Sequence, residues 1–208
     1  MLQQDVWIIL GIAVLSFVSG MLGLGVAFAA IPFLGLFMSD LVHQVQPLSL
    51  TLNGVTALFA TFGFAKSGYI DWRKAIVLAI VTTLSAPVGS ALAQRVPQIA
   101  IWWIYFASVA YLAYRLFKPV KSAQRAEPQL ALAVALTVPI SILSGLLGVG
   151  PGFLLMPTLI LLGFEPKLAA GITAFAVTPP SFSALVPHWG TAHLNGVLRV
   201  WCIAVGIV

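Results

Sequence analysis

The sequence predicts an all-α, polytopic helical membrane protein made of two repeats in inverted orientation, each opening with a broken-helix or re-entrant hairpin. Three observations predict it. Of 208 residues, 61% are hydrophobic and 7% charged, against roughly 25% charged in an ordinary soluble domain. Apolar runs recur along the whole length with short polar joins, so residues 1–208 form a single transmembrane domain. Finally, one segment occurs twice: Ser19-Gly20-Met21-Leu22-Gly23-Leu24-Gly25 with Pro32 beyond it, and Ser144-Gly145-Leu146-Leu147-Gly148-Val149-Gly150 with Pro157 beyond it. Adding 125 to each position of the first copy gives its partner, including Phe28 on Phe153.

The first apolar run covers residues 6–22. Its leader, Met1 to Asp5, lacks the basic cluster that opens a secretory signal, and the run exceeds signal length, so it belongs to the fold. The second run, 26–38, covers roughly 20 Å as helix, too little for a hydrocarbon core of about 30 Å. With the first run it is too long for one crossing and short for two. The Gly cluster between them resolves this, because glycine tolerates dihedrals that let a chain unwind or reverse inside the bilayer. Runs 48–65, 75–93 and 99–117 complete the first repeat, residues 1–117. A charged linker with two prolines, 118–128, separates it from the second repeat, 129–208.

In the second repeat, runs 130–147 and 152–164 are read like the first pair, with Pro139 and Pro151 expected to add breaks. Run 168–186 carries Pro179-Pro180, expected to kink it near its middle, and a last run starts near Val197. Repeat arithmetic leaves this half about one and a half helices short of the first.

Basic residues sit at run ends rather than in a stripe, which argues against a nucleic-acid partner. Lys66, Arg73 and Lys74, then Arg115, Lys118, Lys121 and Arg125, mark loops 66–74 and 115–127 as cytoplasmic, in a bacterial cytoplasmic (inner) membrane. Arg115, one turn from its run's end, snorkels to the interface. The counterpart of loop 66–74, residues 188–198, holds no Lys or Arg and should face the other side. If each Gly hairpin returns to its starting side, the two halves are inverted. Trp7, Tyr69, Trp72, Trp102, Trp103, Tyr114, Trp189 and Trp201 read as interfacial anchors.

Asp5, Asp40, Asp71, Glu127 and Glu165 all lie at run ends, so no carboxylate is available at depth for proton relay or catalysis. No metal is expected: His188 and His193 are five apart, off one helical face, and Cys202 is alone. Gly23-x-Gly25 lacks the strand and βαβ unit a dinucleotide loop needs. No cofactor is implied, and an enzyme would need a nucleophile with its base or a metal motif that is not present.

What remains at depth is backbone and hydroxyl. A helix broken in the bilayer points N–H groups with partial positive charge at its break, an anion site that needs no Lys or Arg. Ser19, Gly20, Gly23 and Gly25, with Ser144, Gly145, Gly148 and Gly150, are the candidate substrate-binding residues, at half-helices starting near Val26 and Gly152. The competing role for these glycines is close helix packing. Beside them, Ser49, Thr51, Asn53 and Thr56 line one run, and Thr173, Thr178, Ser181 and Ser183 its counterpart. Asn53 and Thr178 are the candidates there; a mid-span amide needs a partner, and Asn53 either bonds the substrate or ties the broken backbone together.

The paired Ser-Gly-x-Leu-Gly-x-Gly elements, each followed by Pro at the same distance, resemble the TauE/SafE family of membrane permeases. The resemblance covers essentially the whole chain, although the first copy continues Gly25-Val26-Ala27 where family members carry more glycine. It implies export of small sulfur-containing anions such as sulfite, sulfoacetate or another organosulfonate. Matched helix breaks in two halves suggest alternating access around a site between them. A non-transporting membrane scaffold or assembly subunit, or a passive anion channel, are the alternatives.

Overall fold

Helix is the one regular structure of the described residues, 2–22, 25–117 and 129–188 of the computed structural model. In chain order it runs α1 (Leu2–Leu22), α2 (Ala27–Gly35), a π-helical turn (Leu41–Val45) leading into α3 (Gln46–Lys66), α4 (Trp72–Ala93), α5 (Gln98–Phe117), α6 (Leu130–Leu147), α7 (Gly152–Leu161), α8 (Pro166–Ser183) and a 3-10 turn (Val186–His188). The linker 118–128, Gly23 and residues 189–208, with His193, Trp189, Trp201, Cys202 and most of the loop expected on the second side, lie outside the described residues. Four described segments are long and apolar enough to cross a membrane: Leu41–Lys66, Trp72–Ala93, Leu130–Leu147 and Pro166–His188. Large apolar side chains point outward along them and along α5, among them Phe62, Leu84 and Trp103, which a lipid surround accommodates and water would not.

Helix starts follow local chemistry. Asp40 accepts from His43 N at 3.0 Å to open the π-helical turn, and Asp71 accepts from Lys74 N at 3.3 Å to open α4. Lys74 Nζ also lies 2.8 Å from Asp71 Oδ2, and this bond holds the Asp71 carboxyl below the usual carboxylate range against the opposing effect of burial. Pro47 and Pro166 occupy first-turn positions, where a missing N–H costs nothing.

Inside the helices proline behaves differently from the sequence expectation. Pro139 does not break α6, which runs through it to Leu147, and Pro179-Pro180 lie near the end of α8 rather than its middle. Proline frees the carbonyl four residues earlier, and neighbouring side chains recover three of these. Thr82 Oγ1 on α4 donates to Ala176 O, freed by Pro180, at 2.9 Å. Ser183 Oγ on α8 returns a bond of 2.9 Å to Thr83 O, freed by Pro87. Tyr105 on α5 donates its hydroxyl to Phe28 O, freed by Pro32.

The same bonds fix helix directions. Thr82 meets Ala176 and Ser90 Oγ meets Ala184 O, so α4 and α8 run alongside in parallel. Asn53 meets Ser181 early in α3 and late in α8, while Gly171 at the start of α8 lies against Tyr69 just past α3, so these two run oppositely. Between α4 and α6 the backbones nearly touch: a Cβ on Gly89 would stand 1.9 Å from Ile142 O, and one on Gly145 2.2 Å from Ala86 O. This is the small-residue crossing of membrane helices.

Candidate functional site

Both Gly segments end a long helix and start a short one. α2 has 9 residues and α7 has 10, about 15 Å or less as helix, half a hydrocarbon core. Gly25 takes φ +87° and Gly150, its partner in the repeat, φ +70°; Gly148 adds φ +72°. Side chains rarely enter this left-handed region, and glycine does so freely. The repeat seen in the letters therefore recurs in the dihedrals.

The segments on either side of each corner lie together. Phe33 of α2 packs over Gly11 of α1, where a Cβ would meet its ring, and the N–H of Gln129, just before α6, donates to Leu162 O, just past α7, at 3.4 Å.

Asn53 joins the two corners. A Cβ built on Gly25 would fall 2.6 Å from Asn53 Oδ1, and one on Gly150 would fall 2.4 Å from Asn53 Nδ2. Oδ1 accepts from Ala27 N, in the first turn of α2, at 3.3 Å. Nδ2 donates to Ser181 Oγ on α8 at 2.9 Å. The amide is fully buried, and it occupies the middle of the Leu41–Lys66 span. Through α3 this bonding links the first turn of α2 to α8.

Gln46 went unnoticed in the sequence. It is fully buried, its Nε2 donates to Leu146 O at 3.0 Å, and its Cγ fills the space a Cβ on Gly148 would need. The available signal was spacing: Gln46, Ser49, Asn53 and Thr56 fall at i, i+3, i+7 and i+10, one face of α3, all buried. That stripe passes both corners in turn.

Several hydroxyls in these helices bond back to the carbonyl four residues earlier, as those of Thr51, Thr61, Thr137, Thr158, Thr178 and Ser181 do. Ser16, Ser19, Ser49, Thr56, Ser144 and Thr173 have buried hydroxyls without a partner among the described residues, as does Gln46 Oε1. Ser19, Gly25 and Thr56, with Ala57, Ala60 and Val177, line a cavity of about 10 Å³, roughly the room for one water.

The other sequence candidates divide. Ser144 and Gly148 sit at the second corner, whereas Gly145 faces α4 and serves the helix crossing. Thr178 is buried two residues before Pro180 and bonds within α8. Gly20 belongs to the last turn of α1. Among the described residues no cluster of His, Cys, Asp and Glu could hold a metal.

Helices of spanning length, outward-facing large apolar side chains and a duplicated pair of glycine corners define a polytopic helical integral membrane protein. The family model for the sulfite exporter TauE/SafE family matches residues 8–208, and the chain belongs to that family. It is similar to two proteins named probable membrane transporter protein, from Xylella fastidiosa strain Temecula1 / ATCC 700964 and strain 9a5c, each 28% identical over 173 residues, 78% of this chain. The chain spans 65% of the length of these relatives. The names of the family and of both relatives are those of transport proteins. No solved structure matches the chain.

Proposed function

We propose that the protein is a transporter for a small sulfur-containing anion, of the sulfite or organosulfonate kind, held where the two glycine corners meet and moved by alternating access. The observation that carries this reading is the convergence of Gly25 and Gly150, one from each repeat, on the buried amide of Asn53. Each corner begins a short helix whose first N–H groups carry partial positive charge, and the last turns of α1 and α6, which lead into the corners, hold the unpartnered hydroxyls of Ser19 and Ser144.

The opposite directions of α3 and α8, equivalent helices of the two repeats, support inverted halves. The α1–α2 contact and the Gln129–Leu162 bond support re-entrant hairpins. In inverted repeats, rocking one half against the other opens a shared central site to each side in turn. The family name supports a sulfite-like substrate, and the cytoplasmic placement of loop 66–74 follows from its Lys and Arg.

The test is sulfite flux into proteoliposomes, comparing wild type with Asn53→Leu, Gly150→Ala and the helix-surface control Gly63→Ala. Flux should fall at least tenfold in the first two, with unchanged transport by the control. Equal flux in all four proteins would remove the site, and absence of flux in wild type would favour a scaffold.

A further inference from the structure

We infer that the face where α3 ends and α4 and α8 begin seats an anionic phospholipid, its phosphate among Lys66, Arg73 and Lys167 and its acyl chains along the outer side of α4.

Contacts bring the three helix ends together. Lys167, in the first turn of α8, holds its Nζ 5.4 Å from the centre of the Tyr69 ring, just past α3. One turn further along α8, a Cβ on Gly171 would stand 2.1 Å from Tyr69 O. The Trp72 ring, at the first position of α4, lies edge-on to that of Phe175 of α8 at 5.4 Å. Lys66 is the last residue of α3, and Arg73 follows Trp72 in the first turn of α4. Basic side chains from three helices therefore stand at one end of the bundle, and all three are exposed.

Lys74 is placed differently. Its Nζ is 2.8 Å from Asp71 Oδ2 and 5.5 Å from the centre of the Phe164 ring, so it is committed within the fold and occupies the Asp71 carboxylate. Glu165, just before α8, is the other acidic residue described here, and the surface carries a net positive charge.

Arg73 also heads a row of apolar side chains. Ile76, Val77, Ile80 and Leu84 follow it at i+3, i+4, i+7 and i+11, one face of α4, and all are exposed. From Arg73 to Leu84 the helix covers about 16 Å, the depth of one leaflet of a hydrocarbon core about 30 Å thick. Other sides of α4 are closed by Gly89 against α6 and by Thr82 against α8. Tyr69 and Trp72 are exposed beside Arg73, at the level where aromatic rings favour the headgroup boundary.

Charge and row together define the occupant. A free phosphate would engage the cations and leave the apolar row unused, whereas a zwitterionic lipid would cover the row and bring a positive group to a positive surface. An amphiphile with a net negative head satisfies both. The guanidinium fork of Arg73 matches two phosphate oxygens, and Lys66 and Lys167 add point charges. Each basic residue beside anionic lipid strengthens association about fivefold.

The experiment melts the purified protein in uncharged detergent with added phosphatidylglycerol, phosphatidylcholine or water-soluble glycerol phosphate, since a ligand of the folded state raises the melting temperature with its concentration. Phosphatidylglycerol should act at a concentration at least tenfold below phosphatidylcholine, and glycerol phosphate should have no effect. Arg73→Gln with Lys167→Gln should move the phosphatidylglycerol dependence roughly 25-fold upward. Arg73→Lys with Lys167→Arg, which keeps both charges, should restore most of it, and Arg95→Gln, beyond the far end of α4, should leave it unchanged. Arg73→Gln alone leaves the Lys167–Tyr69 contact intact and carries the same test at about fivefold if the double variant does not fold. Equal action of the two lipids, or a loss in Arg95→Gln as large as that in the Gln variants, overturns the seat. Glycerol phosphate acting as well as phosphatidylglycerol overturns the lipid in favour of a free phosphate.

Discussion

Alanine at Gly25 would meet two penalties at once. Its Cβ would stand 2.6 Å from Asn53 Oδ1, and its backbone would be held at φ +87°, where an L side chain costs roughly 1–2 kcal/mol. Gly63 on α3 has open space around the same hypothetical atom and an ordinary helical backbone, so alanine there should be neutral or favourable by up to about 1 kcal/mol. Thermal melts in nanodiscs should separate the pair, with Gly25→Ala melting lower than wild type and Gly63→Ala level or higher. Equal melting points would mean that the corner relaxes around a side chain. The sequence had singled out Gly25, Gly150 and Asn53 because glycine clusters and a mid-span amide are both costly in lipid unless they have a purpose. It could not show that the three touch, because Asn53 reaches Ser181 across 128 positions of chain.

Helices here carry proline because other helices repair the damage. Thr82 Oγ1, shared between Ala79 O in its own helix and Ala176 O, stands in for the N–H that Pro180 lacks. Removing it with Thr82→Val leaves a buried carbonyl unsatisfied, about 1–3 kcal/mol. Pro180→Ala would restore an N–H to the same carbonyl, so the Thr82→Val loss should shrink in that background. A double-mutant cycle in stability measures the coupling; strictly additive effects would mean that Thr82 does not serve Ala176. The same reciprocity explains why α8 runs on through Pro180 and α4 through Pro87. A proline's local effect is legible, since the lost donor is a property of the residue, but the hydroxyl that replaces it comes from a helix 94 or 100 positions away. Helix existence among the described residues, by contrast, was legible, because apolar length is local. The starts of α2 at Ala27 and α7 at Gly152 fell within a residue of the positions read from the glycines.

At the scale of the molecule, the contacts sort the helix ends into two groups. Lys167 Nζ stands 5.4 Å from the centre of the Tyr69 ring, which brings the start of α8 to the end of α3. Gln98 Nε2 donates to Ser39 O at 3.1 Å and Gln94 donates to Pro187 O, which brings the approach to α3, the end of α4, the start of α5 and the end of α8 together. If the halves are inverted, these groups are the two faces of the membrane. Single cysteines in a Cys202→Ser background test this, since Ser67, Lys167, Ser39 and Gln98 are all exposed. With a membrane-impermeant thiol reagent on sealed inverted vesicles, Ser67→Cys and Lys167→Cys should label readily, on the face that Lys66, Arg73 and Lys74 mark as cytoplasmic. Ser39→Cys and Gln98→Cys should label only after the vesicles are opened. The Lys167 position decides between the topologies, because it begins the helix equivalent to α3 while Ser39 precedes α3 itself. Protection of both together would make the halves parallel. Two corners would then face the same side, and a rocking motion would have no symmetry with which to exchange access between the faces.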